Sequence, residues 1–170
     1  DKDLPVTGCL HAVCVNEQAL ANVITQWRKW QTTGNVDTGY APLRRLFAHL
    51  KDVRAWAPRD RVRTANVAAA LHGMLPGDHT IEIELWFRRS EAARRRAAAE
   101  VTALIEQGGG QVISSAQVTE VGYHGMKCTV PLALLQRLAA GDYDAVAAVK
   151  SAHVMYLRVT AQSYLISQES

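Results

Sequence analysis

The sequence predicts an α+β protein whose sheet lies in its second half. Three observations carry this. Residues 79–89 (HTIEIELWFRR) alternate apolar and polar side chains strictly; residues 90–107 repeat apolar side chains at three and four; strand and helix patterns then interleave as far as residue 160. The 170 residues suffice for one domain with a sizeable core or for two small ones. With 48% hydrophobic and 21% charged residues the composition is that of an ordinary globular chain. A net charge of +3 does not by itself argue for nucleic acid. No apolar run reaches the length of a membrane span.

The chain opens at Asp1 without an initiator Met or a signal peptide, which predicts a start inside a larger gene product. Cys9, Cys14 and Cys128 show neither CxxC nor Cys/His spacing and read as reduced thiols of a cytoplasmic protein. A Cys9–Cys14 disulfide would require export, and a strand over these residues would point the two side chains to opposite faces.

Residues 1–63 read as a strand and helical subdomain. GCLHAVCV (8–15) is a short apolar strand. Residues 16–31 form a helix with Asn16 as N-cap and Leu20, Val23, Ile24, Trp27 and Trp30 on one stripe. TTGNVDTG (32–39) is turn chemistry. Residues 41–53 form a second amphipathic helix through Leu43, Leu46, Phe47 and Leu50, with Pro42 in its first turn. Residues 54–63 are a polar connector carrying a buriable Trp56, and residues 64–78 a linker with a short helix at 65–75, stopped by Pro76-Gly77.

Residues 79–160 then run strand (79–89), helix (90–107, capped by Ser90 and ended by Gly108–Gly110), two strands within 111–131 meeting near Thr119–Gly122, helix (131–141), connector (142–152) and strand (153–160). This is the ferredoxin-like βαββαβ order, with two helices covering one face of an antiparallel sheet. Alternation puts Ile81, Ile83, Leu85, Phe87, Met126, Cys128, Val130, Met155 and Leu157 on the inner face. It puts Glu82, Glu84, Trp86, Arg88, Lys127, Thr129, Val154, Tyr156 and Arg158 on the outer one. Residues 161–170 are an extended polar tail.

The chemistry expected of this chain is recognition rather than catalysis. It carries no GxSxG, no Gly-rich phosphate loop and no HExxH, and its six histidines are scattered. No cofactor or metal is expected. RNA-recognition domains of this fold stack bases on exposed aromatics, but the third strand here (GMKCTVP) has none, and Glu82 and Glu84 would repel phosphate. Arg94, Arg95 and Arg96 read as a solvated helix face, so no nucleic-acid partner is expected. The outer face, with Trp86, Tyr156 and Arg158 among charges, has the residue types that anchor protein interfaces. Burial of that face under the first part of the same chain would account for the same residues.

Several segments resemble, in order, the N-terminal prodomain-like region of bacterial subtilisin-like serine proteases of a group associated with a partner ATPase. They are ALANVITQWRKWQ, PLRRLFAHLKDVRAWAPRDRV, IEIELWFR, GGGQVISSAQVTEVGYHG and HVMYLRV. Where relatives read Trp-Gly-Pro and Leu-Arg-Pro, this chain has Trp56-Ala57-Pro58 and Leu157-Arg158-Val159. The resemblance implies a domain without a catalytic triad of its own, belonging to a parent serine endopeptidase. It would assist folding of the catalytic domain and inhibit it. Glu82 and Glu84 would meet helix N-termini of the protease, and Trp86 and Tyr156 would supply apolar contact. Ser163, Tyr164, Leu165, Ile166, Ser167, Gln168, Glu169 and Ser170 would lie in the substrate cleft as an added strand. A stand-alone adaptor with the same module is the alternative, and an RNA or small-molecule binder a more distant one.

Overall fold

A computed structural model describes residue 12 and residues 17–62 and 64–160. The chain divides into two compact units, Asp1–Ala55 and Trp56–Ser170. The strand expected at 8–15, apart from Ala12, and the tail at 161–170 lie outside the described residues, as do the helix cap Asn16, Cys9 and Cys14.

The first unit holds helices α1 (Glu17–Thr33) and α2 (Ala41–Phe47). Their contact is aromatic: Trp27 meets the buried Phe47 ring edge-on at 5.2 Å, and Trp30 flanks it at 6.5 Å. The turn between them is tied back to α1. The Gln26 side chain receives the Asp37 amide N–H (2.8 Å) and donates to the Asp37 carboxylate (2.6 Å), and Lys29 pairs with the same carboxylate. These contacts, with Lys29 foremost, hold Asp37 below the usual carboxylate range. The expected helix 41–53 stops at Phe47 because the backbone tightens: His49 and Leu50 donate to the carbonyls of Leu46 and Phe47, three residues back.

The second unit is α+β, a four-stranded antiparallel sheet with helices. Its order is α3 (Pro58–Arg61), α4 (Thr64–Leu71), β1 (Asp78–Leu85), α5 (Glu91–Gln107), β2 (Gln111–Val118), β3 (Tyr123–Pro131), α6 (Leu132–Ala139), α7 (Ala147–Lys150) and β4 (Val154–Val159). Short 3-10 turns at Thr119–Val121 and Tyr143–Ala145 complete it. The strands lie in the order β2-β3-β1-β4, each antiparallel to its neighbour. Residues 54–63, expected as connector, contain α3 and then run along β4: Val62 forms a parallel bridge to Leu157. The Trp56 indole N–H donates to the Met155 carbonyl at 3.1 Å. This edge of the sheet is thus partly covered. The opposite edge, β2, carries no charged side chain and is interrupted by a bulge between Val112 and Ser114.

The core explains why the helices form where they do. Ser90 caps α5 by accepting the Ala93 N–H, and the stripe Ala97, Val101 and Ile105 is buried on the sheet's inner face. Ile81, Ile83 and Leu85 from β1 and Met126, Cys128 and Val130 from β3 meet it there, as alternation predicts. Val67 of α4, Leu135 and Leu138 of α6, and Val149 of α7 close the same layer. Burial pushes the Cys128 thiol up to about 11, so it stays a thiol and packs as an apolar group. After α5 the chain turns through Gly109 (φ 79°) to Gly110, whose N–H reaches the Ile105 carbonyl at 2.9 Å. A Cβ at Gly110 would stand 2.6 Å from the Thr129 carbonyl oxygen and 2.9 Å from Ile105 Cγ2. Gly110→Ala is therefore expected to destabilise the second unit by about 1–3 kcal/mol, seen as a lower urea midpoint; an unchanged midpoint would refute the tight approach.

Further expectations need correction. Val154, expected on the outer face, is fully buried in the core, and Met155, expected inside, is only half-buried. The register explains it. Ile83 pairs with Leu157 and Glu84 with Tyr156, but Leu85 pairs with Val154, so Met155 is an inserted residue that reverses the parity of the strand's first residue. Phe87 and Arg88 lie past the end of β1 and are half-buried. Arg94 is not on a solvated face: it is 9% exposed, whereas Arg95 and Arg96 are exposed. Its guanidinium lies 4.8 Å over the Phe87 ring and donates to the carbonyls of Arg88 and Arg89 and to the Gln117 side chain.

His124, on the inner side of β3, is fully buried, and neither ring nitrogen has a hydrogen-bond partner among the described residues. Burial first, and the nearby Arg94 charge second, push its pKa below the ordinary 6.5. The folded state therefore holds the neutral ring while the unfolded chain takes up a proton near pH 6.5. Stability is complete above that pH and is lost as the pH falls towards the folded pKa, by at most about 1.4 kcal/mol per pH unit. Unfolding midpoints measured across this range should fall in the wild type, and His124→Leu should flatten the acid limb.

Candidate protein-docking face

The outer face of the sheet is the other side of the strands that carry the core. Glu82 and Glu84 alternate with Ile81, Ile83 and Leu85, so the packing that fixes the apolar side chains also fixes the carboxylates. Arg158 bridges them: its guanidinium lies 2.8 Å from Glu84 and 3.4 Å from Glu82. Glu82 also accepts the Tyr123 hydroxyl at 3.0 Å. Burial, followed by that bond, raises the Tyr123 pKa, so it acts as a donor. Tyr123 lies over Gly125: a Cβ there would fall 2.0 Å from the Tyr123 hydroxyl oxygen, so the missing side chain makes room for the ring. These pairs are partly exposed, with Arg158 at 51%, and so add at most about 1 kcal/mol each; their consequence is orientation.

An aromatic cluster borders the charges. The Arg158 guanidinium lies 5.0 Å above Tyr156. Tyr156 stands perpendicular to Trp56 at 5.5 Å, and Trp56 meets Trp86 edge-on at 6.3 Å. The cluster sits where β1 ends: the Trp86 N–H still reaches the His153 carbonyl at 2.9 Å.

Of the residues expected here, Glu82, Glu84, Trp86, Tyr156 and Arg158 come together. Lys127 is exposed and lies opposite Glu82 across the β1–β3 pair. Arg88 lies past the end of β1, where its backbone carbonyl accepts from Arg94, and Val154 belongs to the core. Residues 163–170 lie outside the described residues. Sequence reasoning missed Tyr123 and Trp56. Tyr123 shares its alternation with Gly125, Lys127 and Thr129, a signal readable in the sequence. Trp56 is brought in by contacts far along the chain, with no local signal.

Among the described residues, no group of three or more His, Cys, Asp or Glu side chains could hold a metal ion, and no helix is long and apolar enough to cross a membrane. Comparison with known proteins gave no match: no family model, no curated protein and no solved structure matches this chain.

Proposed function

We propose that this chain is the N-terminal regulatory domain of a subtilisin-like serine protease, with a ferredoxin-like second unit that docks on the catalytic domain of the same gene product. The strand order β2-β3-β1-β4, with α5 and α6 joining strands across one face, supports the fold. The observation that carries the function is the outer face itself. It sets two carboxylates on β1 beside three aromatic rings, one on β4 and two in the segments next to the sheet, which suits burial against the N-termini of partner helices. In this reading Glu82 and Glu84 meet the helix ends, Trp86 and Tyr156 fill the apolar contact, and residues 163–170 enter the substrate cleft. The domain then assists folding of the protease and blocks it, and a partner ATPase is a candidate regulator.

The test is direct. The isolated chain should inhibit the mature catalytic domain at micromolar concentration or below, and no inhibition at that level would count decisively against the reading. Intact mass of the full-length product, with and without its catalytic serine, separates a removable prodomain from a permanent adaptor. A cut that disappears in the serine variant marks the first; an uncut product marks the second.

A further inference from the structure

Arg61 is the least expected side chain of the second unit. It is 6% exposed, its Nε has no hydrogen-bond partner among the described residues, and one terminal nitrogen donates to the Val149 carbonyl. No carboxylate of the described residues lies within ion-pair distance of it. Asp60, its neighbour in the chain, turns its carboxylate to the Ala57 amide at 2.8 Å and helps only by longer-range attraction. A buried cation without a counter-ion is costly by several kcal/mol. The same Arg61 lines a groove of about 450 Å³ between α3–α4 and β4, with Asn66, Val67, Tyr156, Leu157, Arg158 and Val159. Arg158 is already committed to Glu82 and Glu84. The groove therefore offers one guanidinium without a carboxylate partner among the described residues, one amide, and the partly exposed side chains of Tyr156 and Val159.

We propose that this groove is a binding site for a carboxylate carried on an apolar body, such as an acidic side chain or a chain end of a peptide. A single guanidinium balances a monoanion, and Tyr156 and Val159 take the group that bears it. A phosphate dianion would want more donors than the groove supplies. Asn66 is placed to orient the ligand. The site adjoins the docking face through Tyr156 and Arg158 and holds whether or not that face binds a protease.

The experiment uses the whole chain and follows backbone and Arg side-chain N–H signals by NMR while N-acetylleucine is added at millimolar concentrations. N-acetylleucine amide and inorganic phosphate serve as matched probes. Saturable shifts at the Arg61 Nε–H, Val67, Leu157 and Val159 are expected with the acid, with an affinity about tenfold or more above that of the amide. Arg61→Met should abolish the shifts without lowering the thermal midpoint, because it removes an unpaired buried charge. Should that variant fail to fold, Asn66→Trp, at an exposed position on the groove, should block binding while leaving Arg61 in place. The absence of saturable shifts, equal binding of acid and amide, tighter binding of phosphate, or binding that survives both substitutions would each overturn the proposal.

Discussion

Val154→Lys is expected to destabilise the second unit by about 3–5 kcal/mol, enough to unfold a marginal domain outright. The side chain is fully buried among the core residues that the helices cover. A lysine there would either carry an unpaired charge into an apolar layer or drag the start of β4 out of the sheet. Simple alternation places Val154 on the solvent side, where the same change would cost within about 0.5 kcal/mol. The two placements thus differ by several kcal/mol. Urea unfolding followed by tryptophan fluorescence decides between them, and a loss under about 1 kcal/mol would refute the bulge at Met155.

Truncation of the aromatic cluster is expected to have the largest effect on partner binding. If the outer face docks on a protease as proposed, Trp86→Ala and Tyr156→Ala should each weaken inhibition of the catalytic domain by about 30-fold or more, the scale of an aromatic anchor at the centre of an interface. Arg96→Ala, on the exposed side of α5, should leave inhibition unchanged. Each variant also loses a ring contact with Trp56, so its unfolding midpoint must be measured beside the inhibition constant. Inhibition that survives both truncations at wild-type strength would mean that the partner docks elsewhere.

How much of this was legible in the chain depended on whether a signal was local. The alternation of β1 is strict, and its two faces follow from period two alone. Helix α5 announces itself by Ser90 at the start and glycines at the end. In β4 the same period-two rule gave Tyr156 and Arg158 their face and misplaced Val154, because a single inserted residue leaves no mark in composition. Arg94 looks like its neighbours Arg95 and Arg96 in sequence; only the nearness of Phe87 and Gln117 distinguishes it. The four-residue helix α3 is too short to show a period. Its Arg61 acquires meaning only from Val149, 88 positions away.

The seam between the start and the end of the second unit has a consequence for its biosynthesis. Trp56 and Val62, which open the unit, are held by Met155 and Leu157, and the central strand β1 waits for the same β4 on its flank. A ribosome that has delivered everything up to residue 150 has therefore released a sheet with one side missing and an opening segment with nothing to lie against. Contacts of such long sequence separation are slow to close. The unit becomes whole only when its final strand emerges, and until then the nascent chain presents an unpaired β1 edge and lacks the Val154 and Leu157 side chains of the core.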